Sequence, residues 1–216
     1  MYKTFSVDDL LAMERFYRRD FINTLSGVRN AHLLGTLSYK KVPNLGLFNS
    51  VTHIGATPPH LGFIMRPLTV PRQTYHNIKA QGHFTLNQVT LGTYQQAHQA
   101  SAKYEVDEPE FEAVGLTPYF SETHRAPYVA ESPIQIGLEL AEEHHIKANG
   151  ALFIVGKVVE IRLQSHLIAD DGHIRMDAAQ AVGVAGLDHY YRPEPIAQLP
   201  YPRPGQEDKI LKPKNN

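Results

Sequence analysis

Two arginines and a threonine flank a proline-bounded loop in the segment RPLTVPRQT, from Arg66 to Thr74. Thr74 stands where a helix would begin, and the N-terminus of a helix offers unpaired N–H groups and the positive end of the helix dipole. The guanidinium groups of Arg66 and Arg72 would lie beside it, so the segment predicts a site for a phosphate dianion. The alternative is a surface arginine pair with Thr74 capping the helix.

A cluster of polar residues precedes this loop, in the middle of an otherwise apolar stretch. Asn49, Ser50 and Thr52 could present amide and hydroxyl groups to a polar planar ring. Taken alone, they are equally typical of an edge strand with one polar face. The apolar run LGFIM (61–65) leads directly from this cluster to Arg66. A ligand with a flat polar ring at one end and a phosphate at the other would span both clusters, and FMN has that shape.

The elements that must position these residues are mostly strands. A capping box of Ser6 and Asp9 predicts a first helix that continues to Tyr17 or beyond. Its buried side would carry the apolar residues Leu10, Leu11, Phe16 and Phe21. Strand-like runs between Gly, Pro and Asn residues follow at 32–38, 46–54, 61–65 and 83–89. Further helical segments are predicted at 73–82, where Gly82 ends the helix, and at 93–104 and 108–115.

The clearest strand signal is the segment SPIQIGLEL, in which apolar residues alternate with other residues from Ile134 to Leu140. The turn ANG then leads to a long apolar run at 151–163, which predicts an antiparallel hairpin. Strands outnumber helices and do not alternate regularly with them. We therefore predict an all-β class, β-rich with helical insertions, built as a closed antiparallel structure.

Composition excludes several functions. The chain of 216 residues has no cysteine, which excludes disulfides, thiolate metal sites and a cysteine nucleophile. Its 21 basic and 22 acidic residues give a net charge of -1, so no basic field predicts nucleic acid or membrane binding. Neither kind of glycine-rich phosphate-binding motif is present. With no transmembrane-length run or secretory signal, we predict a cytoplasmic protein.

The segment EEHH (142–145) invites a metal-site interpretation. Adjacent residues of a strand face opposite ways, so His144 and His145 would not converge on one ion. We expect them in a solvated turn, and we predict no metal site.

Six prolines lie in residues 193–216, which predicts a tail that forms neither a helix nor a central strand. The tail is interpreted either as a disordered end or as an extended arm along a partner subunit. The remaining residues, 1–192, would form one domain.

Five segments in order resemble the flavin reductase-like proteins of the FMN-binding split-barrel fold. They cover about 150 residues and are PNLGLFNSVTHIGATPPHLGFIMRP, RQTYHNIKAQGHFTLNQV, EFEAVGLTP, APYVAESPIQIGLEL and VGVAGLDHYYRP. The resemblance implies a Greek-key antiparallel barrel that forms a homodimer, with flavin bound at the subunit interface. It also implies FMN as the cofactor, although the family includes FAD users.

The resemblance assigns roles to residues at matching positions. Those that would hold the flavin ring and ribityl chain are Asn49, Ser50, Val51 and Thr52. Those around the phosphate are Arg66, Arg72, Gln73 and Thr74. Gln73 departs from the family pattern, which often has Asp before the Thr. The segment AHQASAKY (97–104) falls where the family has a mobile element over the flavin, so His98, Ser101 and Lys103 are candidates for the nicotinamide side.

The function implied is that of an NAD(P)H-dependent flavin reductase, which transfers hydride to flavin and needs no protein nucleophile. The alternative is a non-enzymatic FMN-binding electron carrier that a partner protein reduces. A third interpretation is a phosphate-ligand barrel that has lost flavin. No motif announces a nicotinamide pocket that would separate the first two.

Overall fold

Strands dominate the computed structural model, which describes residues 1–105 and 108–211. In the described ranges the strands are β1 (Arg29–Asn30), β2 (His32–Leu37), β3 (Pro43–Phe48), β4 (Thr52–Ala56), β5 (Pro59–Met65), β6 (His83–Gln88), β7 (Pro118–Tyr119), β8 (Tyr128–Val129), β9 (Ile134–Ile146), β10 (Ala151–Leu163), β11 (Gly183–Ala185) and β12 (His189–Tyr191). The helices in the same ranges are α1 (Val7–Ala12), α2 (Arg15–Thr24), α3 (Gln73–Gln81), α4 (Tyr94–Gln99), α5 (Glu110–Ala113) and α6 (Asp208–Leu211), with a 3₁₀ turn at Ser165–Leu167.

The main sheet has the spatial order β3-β2-β6-β9-β10-β5-β4, and its neighbouring strands are antiparallel. Two smaller sheets, β1-β11-β12 and β7-β8, accompany it. The β9–β10 hairpin is confirmed, and Gly150 in its turn has a φ of 74°, which glycine adopts without strain. The expected β-rich antiparallel architecture with helical insertions is therefore confirmed.

Apolar residues from strands that are far apart in the sheet pack together in the core. Phe63 on β5 contacts Phe48 of β3 and Phe84 of β6 edge to face, with ring centroids 5.0 Å and 5.7 Å away. Phe63 and Phe84 are fully buried. Ile78 of α3 packs into the same cluster, which fixes this helix against the barrel. The core contact of Ile78 therefore fixes the position of the α3 N-terminus.

Two strand predictions need correction. The segment 46–54 is not one strand, because β3 ends at Phe48 and β4 starts only at Thr52. His144 and His145 lie within β9 and not in a turn, because β9 pairs with β10 as far as Ile146 opposite Ala151. His144 contacts Glu142 and His145 contacts Glu143, so each ring has its own carboxylate.

The predicted first helix is two helices. The capping box of Ser6 and Asp9 is present, but α1 ends at Ala12, and Glu14 caps a new helix through the N–H groups of Phe16 and Tyr17. The predicted buried side is wrong as well, because neither helix has a buried residue within this chain. Leu11 and Phe16 are 64% and 56% exposed, and Leu10 and Phe21 are only partly covered.

The tail after Arg192 also differs from expectation. A one-turn helix, α6, forms in the proline-free stretch between Pro204 and Pro213, because nothing there prevents helical hydrogen bonds. Nearer the barrel, Gln198 Nε2 donates to Asp171 Oδ2 at 3.0 Å, so this part of the tail contacts its own chain. Among the described residues, no helix is long and apolar enough to cross a membrane.

Candidate functional site

The N-terminus of α3 lacks a side-chain cap. Arg72 is the N-cap residue, and its side chain makes no capping hydrogen bond. The helical hydrogen bonds begin with His76 N–H, which donates to Arg72 O at 3.1 Å. The N–H groups of Gln73, Thr74 and Tyr75 therefore precede the first helical bond and can donate to a ligand. The alternative in which Thr74 caps the helix is wrong.

Arg66 and Arg72 lie close enough to repel each other. Burial, and then the charge of Arg66, lower the pKa of Arg72. Arg72 Nε donates to Pro67 O at 3.2 Å, which fixes the half-buried side chain across the loop, while Arg66 is exposed. Neither guanidinium forms an ion pair with a carboxylate of the described residues. Together, the two cations and the three free N–H groups create a region of strongly positive potential that an anion would neutralise.

The polar linker between β3 and β4 reaches the same end of β5. In the β4–β5 register Thr52 pairs with Gly62, so Ser50 would come opposite Ile64. Instead the Ser50 hydroxyl accepts from Ile64 N–H at 3.1 Å and donates to Ile64 O at 3.2 Å. The side chain thus replaces the ladder, which explains why the strand breaks. Ile64 is two residues before Arg66, so the two predicted clusters lie together.

The other linker residues divide into bound and free groups. Asn49 Nδ2 donates to Gly186 O at 3.0 Å, so its amide nitrogen holds the turn after β11. Val51 is partly buried and packs against the core cluster that contains Phe63, Phe84 and Ile78. Thr52 is exposed, and its hydroxyl has only a 3.5 Å contact with His53 O. Within the described residues, the N–H groups of positions 49–51 donate to no other backbone group, so they are available to a polar ring.

Thr74 faces inward. Its Oγ1 donates to Asn44 Oδ1 on β3 at 3.1 Å, and Asn44 Nδ2 donates to Glu110 Oε2 at 2.7 Å. Gly46 lies directly beneath it, since a Cβ at Gly46 would come 3.3 Å from Thr74 Oγ1. Thr74 can therefore meet a phosphate through its backbone N–H, while its hydroxyl proton is already used.

The nicotinamide-side candidates are only partly brought together. His98 Nδ1 lies 3.1 Å from Tyr190 Oη, and their rings meet at 80°. Ser101 Oγ donates to His98 O at 2.6 Å, which closes α4 and leaves the hydroxyl engaged. Lys103 is exposed and forms no hydrogen bond or ion pair within the described residues. Tyr190 lies on β12, which follows the Gly186 turn held by Asn49, so His98 is linked to the linker through this ribbon.

Three residues of this region carried no predicted role. Tyr190 has its pKa raised to about 12, by burial and then by Asp188. Asn44 and Glu110 are buried, and burial raises the pKa of Glu110 to about 7, with Glu108 adding to it. Glu110 and Tyr190 stand inside the quoted segments EFEAVGLTP and VGVAGLDHYYRP, but no spacing pattern marks either as functional.

A family model, described as the flavin reductase like domain, matches residues 28–176. This range includes β2 to β10, the polar linker and the α3 N-terminus. The chain belongs to the flavin reductase-like family. Membership supports a flavin-related oxidoreductase, and it agrees with the resemblance on which the site residues were assigned.

Solved structures agree with this assignment. A candidate flavin reductase with a split barrel domain from Shewanella frigidimarina NCIMB 400 is 41% identical, with a TM-score of 0.90 over 93% of this chain and 100% of that one. Flavoredoxin of Desulfovibrio vulgaris (Miyazaki F) is 24% identical, with a TM-score of 0.69 over 80% and 90%. An FMN-binding protein from Thermus thermophilus is 20% identical, with a TM-score of 0.67 over 79% and 90%. The last two show the fold alone, and this flavin reductase-like chain is a split barrel.

Proposed function

We propose that this flavin reductase-like protein binds FMN and catalyses its reduction by NADH or NADPH. The observation that carries the proposal is the uncapped first turn of α3, which follows Arg66 and Arg72, two neighbouring cations without a carboxylate partner in the described ranges. A phosphate monoester would satisfy both the free N–H groups and the two charges. FMN ends in such a group, whereas riboflavin does not.

The linker fits the other end of the ligand. Free N–H groups at positions 49–51 and the exposed Thr52 hydroxyl can donate to the polar edge of a flavin ring. When bound, the flavin supplies the hydride-accepting ring. The protein's own residues have the tasks of holding the phosphate, orienting the ring and presenting its open face to the nicotinamide. His98, Ser101 and Lys103 remain candidates for that open side.

We also propose a homodimer with the flavin at the subunit interface. Both N-terminal helices lack buried residues within one chain, and large apolar side chains remain exposed on them and on the tail. These side chains are Leu11, Phe16, Tyr17, Leu25, Ile196, Leu199 and Tyr201. A second copy would cover such surfaces, and two-fold dimers are the commonest soluble oligomers.

The first test is titration of the purified protein with FMN and FAD, followed by flavin fluorescence and absorption. We expect FMN to bind with the higher affinity. The decisive variant is Arg72→Ala, which should weaken FMN far more than riboflavin. A charge-assisted contact contributes about 1.5–3 kcal/mol, so the affinity for FMN should fall about tenfold to a hundredfold.

The matched control is Lys79→Ala. Lys79 lies in the last turn of the same helix, about 10 Å from Arg72 along the helix axis, and pairs with Glu143. Lys79→Ala removes one positive charge from the far end of the helix and leaves Glu143 in place to accept from Tyr75 Oη. Equal losses for FMN and riboflavin in Arg72→Ala would show that Arg72 supports the fold. A wild-type protein that binds neither flavin would overturn the proposal.

A second experiment separates an enzyme from an electron carrier. The FMN-loaded protein is mixed anaerobically with NADH or with NADPH in a stopped-flow instrument, and flavin absorbance is followed. Reduction by either nucleotide supports the reductase. If neither nucleotide reduces the flavin, a carrier that receives electrons from a protein partner takes its place.

A further inference from the structure

A buried network of polar side chains connects α5 to the first turn of α3. Its members Thr36, Asn44, Asn77 and Glu110 are each at most 7% exposed. Glu110 Oε2 accepts from Leu45 N–H at 2.5 Å and from Asn44 Nδ2 at 2.7 Å. Asn77 Nδ2 donates to Thr36 Oγ1 at 3.0 Å. Glu110 lies 65 residues after Leu45, its partner on β3. Burial of a charged carboxylate is energetically unfavourable, so the contacts of Glu110 call for an explanation.

The carboxylate fixes which way the Asn44 amide points. Only the NH₂ group can face an acceptor such as Glu110 Oε2, so Asn44 Oδ1 must face the opposite side. There it accepts from Thr36 Oγ1 at 3.0 Å and from Thr74 Oγ1 at 3.1 Å. A hydroxyl has one proton, so the Thr74 proton is directed inward and ties the second residue of α3 to β3.

We propose that Glu110 is a positioning residue of the phosphate site, which acts through Asn44 to hold Thr74 and the first turn of α3 in place. The inference rests on the proposed function, because the ligand that the turn would meet is the FMN phosphate. It also changes the role of Thr74. The phosphate meets the backbone N–H of Thr74, and the hydroxyl serves as the anchor.

Charge makes this anchor strong. Hydrogen bonds to an ionised carboxylate are roughly twice as strong as neutral ones. Burial of Glu110 raises its pKa to about 7, and the nearby Glu108 carboxylate adds to the rise, while the bonds from Leu45 and Asn44 oppose it. The facing strand β3 has the sequence PNLGLF and contributes no charged side chain. The anchor should therefore weaken when Glu110 is protonated near neutral pH.

The first test is a double-mutant cycle on flavin affinity. Glu110→Gln keeps an acceptor oxygen for Asn44 but removes the charge, and Thr74→Val removes the anchoring hydroxyl. We expect each change to raise the ratio of the FMN Kd to the riboflavin Kd about threefold to tenfold. The double variant should be no worse than Thr74→Val alone, because both changes break one chain of contacts.

The control for the cycle is Glu112→Gln, an exposed glutamate on the same helix, which should leave the ratio unchanged. Effects of Glu110→Gln and Thr74→Val that multiply in the double variant would overturn the inference. So would a Glu110→Gln protein whose FMN to riboflavin ratio equals that of the wild type.

The second test needs no flavin. In ligand-free protein with labelled threonine methyl groups, NMR follows the Thr74 methyl signal from pH 5 to pH 9. We expect a transition near neutral pH in the wild type and none in Glu110→Gln, while the exposed Thr24 on α2 serves as the reference in both. A Thr74 signal without this transition overturns the inference whether or not flavin binds. If Thr74 follows Glu110 but the protein binds neither flavin, the coupling stands and the proposed function is the one that fails.

Discussion

Replacement of Glu110 by Gln should change how stability depends on pH, in a direction opposite to that of most carboxylates. Burial raises the pKa of Glu110 to about 7 from an ordinary 4.5. Between these values the folded protein holds a proton that the unfolded chain has already released. Because the folded state binds more protons, its free energy of unfolding falls as pH rises through this window. Glu110→Gln removes that loss.

The size of the effect follows from the shift. A difference of about 2.5 pKa units at roughly 1.36 kcal/mol each corresponds to on the order of 3 kcal/mol. In Glu110→Gln the new amide oxygen can still accept from Leu45 N–H and Asn44, while the NH₂ group replaces an oxygen that has no hydrogen-bond partner in the described residues. Any destabilisation caused by that amide is the same at every pH. The test therefore uses how the difference in free energy of unfolding between Glu110→Gln and wild type changes with pH, and not its absolute value.

A second titratable group, the partly buried His32, opposes Glu110 in the wild type. Burial lowers the pKa of His32 to about 4 from 6.5. Between these values the unfolded chain binds the extra proton, so the free energy of unfolding rises with pH. The stability that neutral His32 contributes is lost as pH falls from 6.5 to about 4. The two slopes cancel over much of the range from pH 4.5 to 6.5. Only the difference between Glu110→Gln and wild type isolates the glutamate.

The assay is urea unfolding followed by far-ultraviolet circular dichroism at pH 5, 6, 7 and 8. Protein concentration is held fixed, since dimerisation would make stability depend on it. We expect the free energy of unfolding of Glu110→Gln, minus that of wild type, to rise by about 2.5 kcal/mol from pH 5 to pH 8, because pH 5 already lies inside the window. Glu112→Gln should give a flat difference. Parallel curves for Glu110→Gln and wild type would refute the reasoning, because they would show an ordinary pKa for Glu110.

Three further changes have definite expected outcomes. Gly35→Ala should lower the free energy of unfolding by at least about 1–3 kcal/mol, because its Cβ would collide with Pro127 O and lie 2.6 Å from Thr85 Oγ1, whereas the control Gly92→Ala meets nothing nearer than 3.7 Å. His98→Ala should slow flavin reduction in anaerobic stopped-flow without weakening FMN, and a complete stop would reveal a catalytic role that hydride transfer does not require. Deletion of residues 193–216 should weaken self-association in light scattering, and an unchanged dimer would place the tail outside the interface.

Local signals predicted the elements that they specify by themselves. Strict alternation from Ile134 to Leu140 and the turn before Ala151 predicted the β9–β10 hairpin, and Gly82 predicted the end of α3. Each of these depends on neighbours in the sequence, either through the two-residue period of a strand or through the left-handed φ that glycine favours. Tertiary contacts did not need to be known.

The wrong predictions have tertiary causes. The break at Ser50 arises because its hydroxyl bonds to Ile64, on the next strand. The strand at His144 persists because β10 pairs with it. The apolar faces of α1 and α2 were predicted to be buried, yet the described residues of this chain bury no side chain on either helix. Sequence patterns report which residues can be buried and do not report which surface does the burying.

In the candidate site, too, the local features could be predicted from the sequence and the tertiary contacts could not. Its charges were visible in the sequence, because Arg66 and Arg72 flank a loop that leads into a helix. Its support was not visible, since Thr74 is joined to Asn44 and Asn44 to Glu110 over separations of 30 and 66 residues. Such contacts depend on which strands and helices pack together, and no local period encodes them.

The support and the charges together explain how a phosphate could be bound with few direct contacts. Arg66 and Arg72 repel each other, and three N–H groups of α3 lack helical partners. In its proposed role, the Glu110 network would hold the first turn in place through Thr74 and so oppose fraying of the helix. A dianion removes the repulsion and satisfies the donors at once, and it does so in a turn that is already ordered. Affinity for a phosphate would then come from neutralising Arg66 and Arg72 beside the free N–H groups, so changes at the buried Glu110 and at the half-buried Arg72 should affect the same ligand group.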